Sequence, residues 1–351
     1  MKLGKIFLPF QKDANTFFDE IINCSNYEFV FEDYKNYNSD FKIVNIHWPE
    51  SIFNWAEPTS QQLFDLENEI FKWKKHSKII FTVHNLQPHF GTTENFTKLY
   101  QIIEQNCDVF MHLGEFSKNL FENKYPKAKH IVIKHPLYTT TFKISDKKYA
   151  RKELGIQENA LVIIAPGRIR NLEERKLVLK AFNSINEKNK VLISTNMLKE
   201  NFNFNFPGRY KLKKFVDIKV LFEKFLQKKY NQPKYIFNEG YLNNDNFSLM
   251  MSASDIVFIP RKKILNSGNV FLGMTYKKII VGTNQGNIKE VLDNFGFLSF
   301  DPNKQKSVNE ALNKSVLMFK DDSYCYNEEE LAKSIPENVA KEWDRLIENL
   351  S

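Results

Sequence analysis

All seven histidines of this 351-residue chain, at positions 47, 76, 84, 89, 112, 130 and 135, fall in its first half. Three of them, His47, His84 and His135, come directly after apolar runs of strand type, and His89 follows His84 within one loop. An imidazole can donate, accept or exchange a proton near neutral pH. In open parallel sheets ligands bind beyond the carboxyl ends of the strands, so groups at those ends are placed for chemistry. Taken singly, each histidine is explained as well by capping a strand. As a group they predict a polar cleft. No metal site is expected, because apart from the loop pair His84/His89 no H-x-H, H-x₃-H or HExxH spacing occurs within one element.

A second chemical feature lies in Ile264–Leu292. Asn266-Ser267-Gly268-Asn269 opens a short apolar helix, a buried strand follows at Ile279–Gly282, and the turn Asn284-Gln285-Gly286-Asn287 leads to another helix. A helix entered through Ser-Gly offers unpaired N–H groups and the positive end of its dipole, which suits a phosphate or diphosphate. An ordinary loop–helix–strand–loop would share this pattern.

The composition is that of a globular protein, 42% hydrophobic and 26% charged, with 32 Phe and 14 Tyr supplying much of the apolar bulk. A length of 351 residues suggests two domains. The net charge of +8 favours anionic partners. Nucleic acid is not expected among them, since no recognition motif accompanies the basic residues. Cys24, Cys107 and Cys325 are too few and too scattered for a disulfide framework, which points to a reducing, cytoplasmic setting. The chain has no apolar run long enough to span a membrane.

Strands and helices must alternate to position these groups. The first half reads as strands at Lys5–Phe10, Ile43–His47, Lys78–Val83, Val109–Leu113 and Ile131–Lys134, with helices at Asp13–Ile22, Gln61–Lys75, Thr93–Gln105 and Ser117–Lys124. Residues 139–160 are polar and read as a linker. A second pass runs through strands Leu161–Ala165, Lys190–Thr195, Tyr235–Asn238, Ile256–Pro260 and Ile279–Gly282, with helices Arg175–Ser184 and Asp245–Ala253 among them. Strands separated by helical stretches of ten residues or more predict parallel, doubly wound α/β sheets. The tail Asn338–Leu350 reads as an amphipathic helix carrying Trp343.

Set in order, four segments carry a resemblance. His84-Asn85 after IIFTV resembles a TVHN loop, completed as TVHNLQPH by His89. Pro166–Phe182, Phe237–Lys262 and Ser267–Glu290 resemble, in sequence, the three segments that build the donor domain of GT-B-fold glycosyltransferases. The chain is similar to the large family-four-like group of these enzymes, which use nucleotide-sugar donors and build surface glycans. The resemblance implies two Rossmann-like domains facing a cleft. Residues 1–145 would bind the acceptor and 146–325 the nucleotide sugar, with residues 326–351 a helical tail packing back on the first domain.

By the same resemblance, Arg168, Arg170, Lys176, Ser267, Gly268 and Asn269 would hold the donor diphosphate, because guanidinium forks and backbone amides suit phosphate oxygens. Tyr241 would lie by the base, and Asn266 and Glu290 would complete the donor side. His84 would approach the transferred sugar, while His47, Trp48, Asn85 and His135 would line the acceptor side. Glu50, His84 and His89 are the candidates for a catalytic base. The chain departs from the pattern at Ile264 and Leu272, where the group has two glutamates, and at Glu173, where it has a lysine. No D-x-D occurs, in keeping with a metal-independent cleft in which arginines and a helix N-terminus stabilise the leaving group. No cofactor is expected.

The expected activity is transfer of a sugar from a nucleotide-diphosphate sugar to a glycan or lipid-linked acceptor in polysaccharide biosynthesis. A nucleotide-sugar epimerase and a catalytically silent binding protein are the alternatives. The basic segment 208–230 would suit peripheral contact with the inner face of an anionic membrane, or equally a helix packed on the sheet.

Overall fold

A computed structural model of the chain describes residues 2–12, 15–89, 91–198, 218–240 and 242–350. Tyr241 and residues 208–217 of the basic segment lie outside the described residues.

The first half holds β1 (Lys5–Leu8), α1 (Phe17–Ile22), β2 (Glu28–Phe31), β3 (Ile43–Ile46), α2 (Ser60–Trp73), β4 (Lys78–Val83), α3 (Glu94–Asn106), β5 (Val109–His112), α4 (Glu115–Lys124) and β6 (Lys129–Val132). Its six strands pair in the order β2-β1-β3-β4-β5-β6, every pair parallel. Strand β4 shows why: all but its first residue, Lys78, are buried, as a strand covered by helices on both faces requires. Helix α2 shows how the cover is fixed. Thr59 and Gln62 close a capping box at its start, and Leu63, Leu66, Ile70 and Trp73 form one buried stripe.

The second half begins with α5 (Lys147–Glu153), a helix inside the stretch read as a linker. Arg151 explains it: the buried guanidinium donates to both carboxylate oxygens of Asp255 at 2.8 and 2.9 Å and to the carbonyl of Ala253 at 3.1 Å, so it docks α5 on the second sheet. There follow β7 (Leu161–Arg168), α6 (Leu172–Ser184), β8 (Lys190–Thr195), α7 (Ile218–Tyr230), β9 (Tyr235–Asn238), α8 (Asn244–Ala253), β10 (Ile256–Ile259), α9 (Gly268–Thr275), β11 (Ile279–Thr283), α10 (Gly286–Asn294), β12 (Leu298–Phe300), α11 (Gln305–Lys320) and α12 (Glu328–Ala332). The six strands order as β12-β11-β10-β7-β8-β9, again all parallel.

Helix α13 (Pro336–Glu348) returns to the first half. Val339, Ala340, Trp343, Leu346 and Ile347 join Ile6, Leu8, Phe17, Phe18 and Ile21 in one core, and Asp344 accepts hydrogen bonds from Ser25 Oγ at 2.6 Å and from the Asn26 N–H at 2.8 Å. The amphipathic tail read from the sequence therefore closes the first domain. Among the described residues no helix is long and apolar enough to cross a membrane.

Each sheet reverses its winding once, between β1 and β3 in the first and between β7 and β10 in the second. A crevice opens at the carboxyl ends of the strands at such a point.

Candidate functional site

A cleft of about 360 Å³ is lined by residues that follow strands of both sheets. From the first half come Asn15, Thr16 and Phe17 after β1, Trp48 after β3, and His84, Asn85 and His89 after β4. From the second come Arg170 after β7, Arg261, Ile264, Asn266 and Ser267 after β10, and Gly268, Asn269 and Leu272 at the start of α9. His135 and Tyr138, on the segment joining the halves, complete the wall.

Two imidazoles held below their ordinary pKa, those of His84 and His135, stand in the wall. His84 lies against Trp48, ring centroids 4.0 Å apart and nearly parallel, with Phe17 edge-on to it. Its Nε2 meets Nδ1 of His47 at 2.8 Å, and His47 Nε2 meets Asn45 Oδ1 at 2.5 Å. Burial drives the pKa of His47 and of His84 well below 6.5, His47 adding to the effect at His84. Both rings are therefore uncharged at neutral pH. His47 itself does not line the cleft. It sits behind His84, so its sequence-based assignment to the acceptor surface is replaced by a place in the layer beneath. His135 stacks on Phe271 of α9 at 4.4 Å, and its Nδ1–H donates to the Pro136 carbonyl at 2.7 Å. That bond leaves Nε2 as a lone pair. Burial lowers the His135 pKa to about 4, although the bond to Pro136 works the other way.

Glu50 is not in the cleft wall. It is fully buried, taking the His89 N–H at 2.8 Å and His89 Nδ1 at 3.3 Å on one oxygen and the Tyr100 hydroxyl at 2.9 Å on the other. In place of the base expected from sequence, it is an anchor for the loop that carries His89 and Asn85. Burial pushes its pKa up, but the hydrogen bonds from His89 and Tyr100 outweigh that, and it rests below its ordinary 4.5.

The second-half wall carries the positive charge. Ser267 is the N-cap of α9 and its hydroxyl makes no cap hydrogen bond, and Ser267, Gly268 and Asn269 bring this helix N-terminus to the cleft. Asn269 Nδ2 donates to the Pro166 carbonyl at 2.9 Å, tying this turn to β7. Beside it stands Arg261, which sequence reasoning missed. Its guanidinium is buried and gives Nη1 to Glu174 Oε2 at 2.5 Å, while Glu174 also accepts the Arg170 N–H at 2.8 Å. Gly167, with φ +76°, lies against this pair: a Cβ there would fall 2.8 Å from Asn269 Nδ2 and 3.4 Å from Arg261 Nη2, so the positive φ and the close approach of Asn269 both call for glycine.

The remaining assignments divide. Arg168 and Lys176 are exposed and do not line the cleft. Asn266 does line it, but its amide bridges the halves, donating to the carbonyls of Val83 at 3.2 Å and His84 at 2.9 Å. Glu290 is not a cleft residue. Its carboxylate accepts the N–H groups of Glu115 at 2.7 Å and Phe116 at 3.3 Å, capping α4 across the boundary between the halves. Asn287 supports the same junction, accepting from the Ser117 N–H at 3.0 Å.

The sequence matches no protein-family model and no curated protein. Solved structures do match. Sucrose-phosphate synthase from Thermosynechococcus elongatus superposes with a TM-score of 0.63 at 12% identity, over 88% of this chain and 74% of that one. HepE from Anabaena, in complex with UDP-glucose, superposes with a TM-score of 0.61 at 11% identity, over 98% of each chain. The fold is GT-B. A UDP-forming trehalose-phosphate synthase from Burkholderia xenovorans shares it, with a TM-score of 0.53 at 12% identity over 90% of this chain and 74% of that one. The GT-B architecture expected from the resemblance, including the returning C-terminal helix, is the one observed.

Proposed function

We propose that this GT-B chain is a glycosyltransferase whose cleft binds a nucleotide-diphosphate sugar and passes the sugar to a glycan or lipid-linked acceptor. One observation carries the reading: the cleft sets Arg170, Arg261 and the α9 N-terminus on one side against the uncharged imidazoles of His84 and His135 on the other. A diphosphate suits the first. Guanidinium groups and helix amides stabilise its charge both in the bound donor and as the bond to the sugar breaks. A sugar suits the second, where His84 and His135 offer lone pairs without charge. Arg261 then replaces the lysine that the resemblance leads one to expect where Glu173 stands. Glu174 orients that arginine from α6, and Arg170 adds charge at the mouth.

HepE, solved in complex with UDP-glucose and with UDP, makes these the first ligands to try. Thermal unfolding is measured with UDP, GDP, ADP, CMP and their sugars, on the wild type, on Arg170→Ala and on Arg261→Lys, which keeps a cation beside Glu174. A ligand at 100 times its dissociation constant adds about 2.7 kcal/mol. One nucleotide class should stabilise the wild type, with the shift reduced in both variants and a labelled sugar then passed to an acceptor or to water. No shift with any nucleotide would end this reading.

A further inference from the structure

The bonds beneath His84 fix where its proton is. The carbonyl of Ile80 can only accept, so the atom of Asn45 that lies 3.2 Å from it is the amide nitrogen, which also reaches Thr82 Oγ1 at 3.1 Å. Asn45 therefore turns its oxygen to His47, 2.5 Å from Nε2. An amide oxygen takes a proton donor, so His47 carries Nε2–H. A neutral His47 with Nε2–H has a bare Nδ1, and that atom faces His84 Nε2 at 2.8 Å. His84 must then carry its own proton on Nε2. Aromatic rings hold the rings in this register: Trp343 of α13 stacks on His47 at 5.6 Å, Phe18 stands edge-on to it at 4.5 Å, and Trp48 covers His84.

We propose that Asn45 and His47 are positioning residues that hold His84 in its Nε2–H form. Its Nδ1 is thereby kept as a bare lone pair on the cleft side, where it accepts a hydrogen bond from a ligand hydroxyl. The chain ends at an amide that cannot take a proton, so it fixes a hydrogen-bonding direction and does not relay charge. A sugar hydroxyl fits this acceptor. A group that offers only lone pairs, such as fluorine or a carboxylate in the same place, is turned away. The identity of that hydroxyl rests on the nucleotide-sugar reading above; the proton positions do not.

Long-range proton–nitrogen spectra of protein labelled with ¹⁵N-histidine read the two forms directly. At pH 7, His84, assigned by its loss in His84→Gln, should show the pattern of a neutral Nε2–H ring. His47→Asn places an amide oxygen near the position of Nδ1 and should preserve that pattern, whereas His47→Leu and Asn45→Val should give mixed forms. An Nδ1–H or doubly protonated His84 in the wild type would overturn the proposal, and so would an unchanged pattern in His47→Leu. With UDP-glucose present, the Nδ1 resonance should move while UDP alone leaves it in place. If UDP-glucose binds and Nδ1 does not respond, the lone pair has no ligand partner and that half of the proposal fails. If no nucleotide sugar binds and the ligand-free spectra are as expected, it is the glycosyltransferase reading that fails.

Discussion

At the scale of single residues, the cleft shows how burial changes what a side chain is for. Glu50 was a candidate base from the resemblance, yet both of its oxygens are occupied and its charge is held by His89 and Tyr100. A carboxylate whose folded pKa is depressed contributes stability that is present above its unfolded value, here 4.5, and that is lost as pH falls through the folded pKa. Glu50→Gln should therefore lose about 1–3 kcal/mol at pH 7. The gap to the wild type should close as the pH drops below 4.5. Thermal unfolding of both proteins between pH 7 and 3 measures this, and a gap that stays constant throughout would mean the charge is not the stabilising form. Arg261 makes the converse point. It was not singled out from the sequence, where it stands beside Lys262 and Lys263. Its buried partner is Glu174, 87 positions away in the chain. The local clue was its position directly after the strand Ile256–Ile259 and its proline.

At the scale of elements, the Ser267–Gly268 entry to α9 does two jobs. It brings the helix N-terminus to the cleft and lets the helix approach the joining segment. A Cβ on Gly268 would fall within contact distance of the Tyr138 hydroxyl and 3.6 Å from His135 Nε2. Gly268→Ala should therefore cost about 1–3 kcal/mol through overpacking and displace the Tyr138 hydroxyl. Adding Tyr138→Phe should recover much of the loss. Equal unfolding temperatures for Gly268→Ala and the wild type would show that the helix has room to spare. Most strands were legible because a strand buried on both faces is a continuous apolar run; Lys78–Val83 and Lys190–Thr195 have the bounds read from sequence. Glu28–Phe31 and Leu298–Phe300 lie toward the sheet edges, are short and are only partly buried, so the pattern that identifies a strand is weak there. Helix α5 was hidden in a polar stretch because the feature that docks it is an ion pair to Asp255 rather than an apolar stripe.

At the scale of the molecule, the two sheets meet through few, specific polar bonds around the cleft: Asn266 to the end of β4, Asn287 and Glu290 to the start of α4, and Thr275 Oγ1 accepting the Tyr138 N–H at 2.9 Å. These bonds explain why Glu290, assigned to the donor side from its motif position, serves the junction instead, and why Asn266 bridges the halves as well as lining the cleft: the motif gives the place in the chain, whereas the partner is set by how the halves meet. On the proposed function one ligand spans the cleft, its diphosphate on the second half and its sugar on the first. Calorimetric titration of the nucleotide sugar that stabilises most, and of its nucleoside diphosphate alone, tests that most directly. Arg261→Lys should weaken both ligands by about tenfold, as expected for loss of a bidentate charged contact. His84→Ala should weaken the nucleotide sugar by up to about tenfold and leave the diphosphate unchanged. If His84→Ala weakens the two ligands equally, or Arg261→Lys affects neither, the ligand does not lie across the cleft in this way.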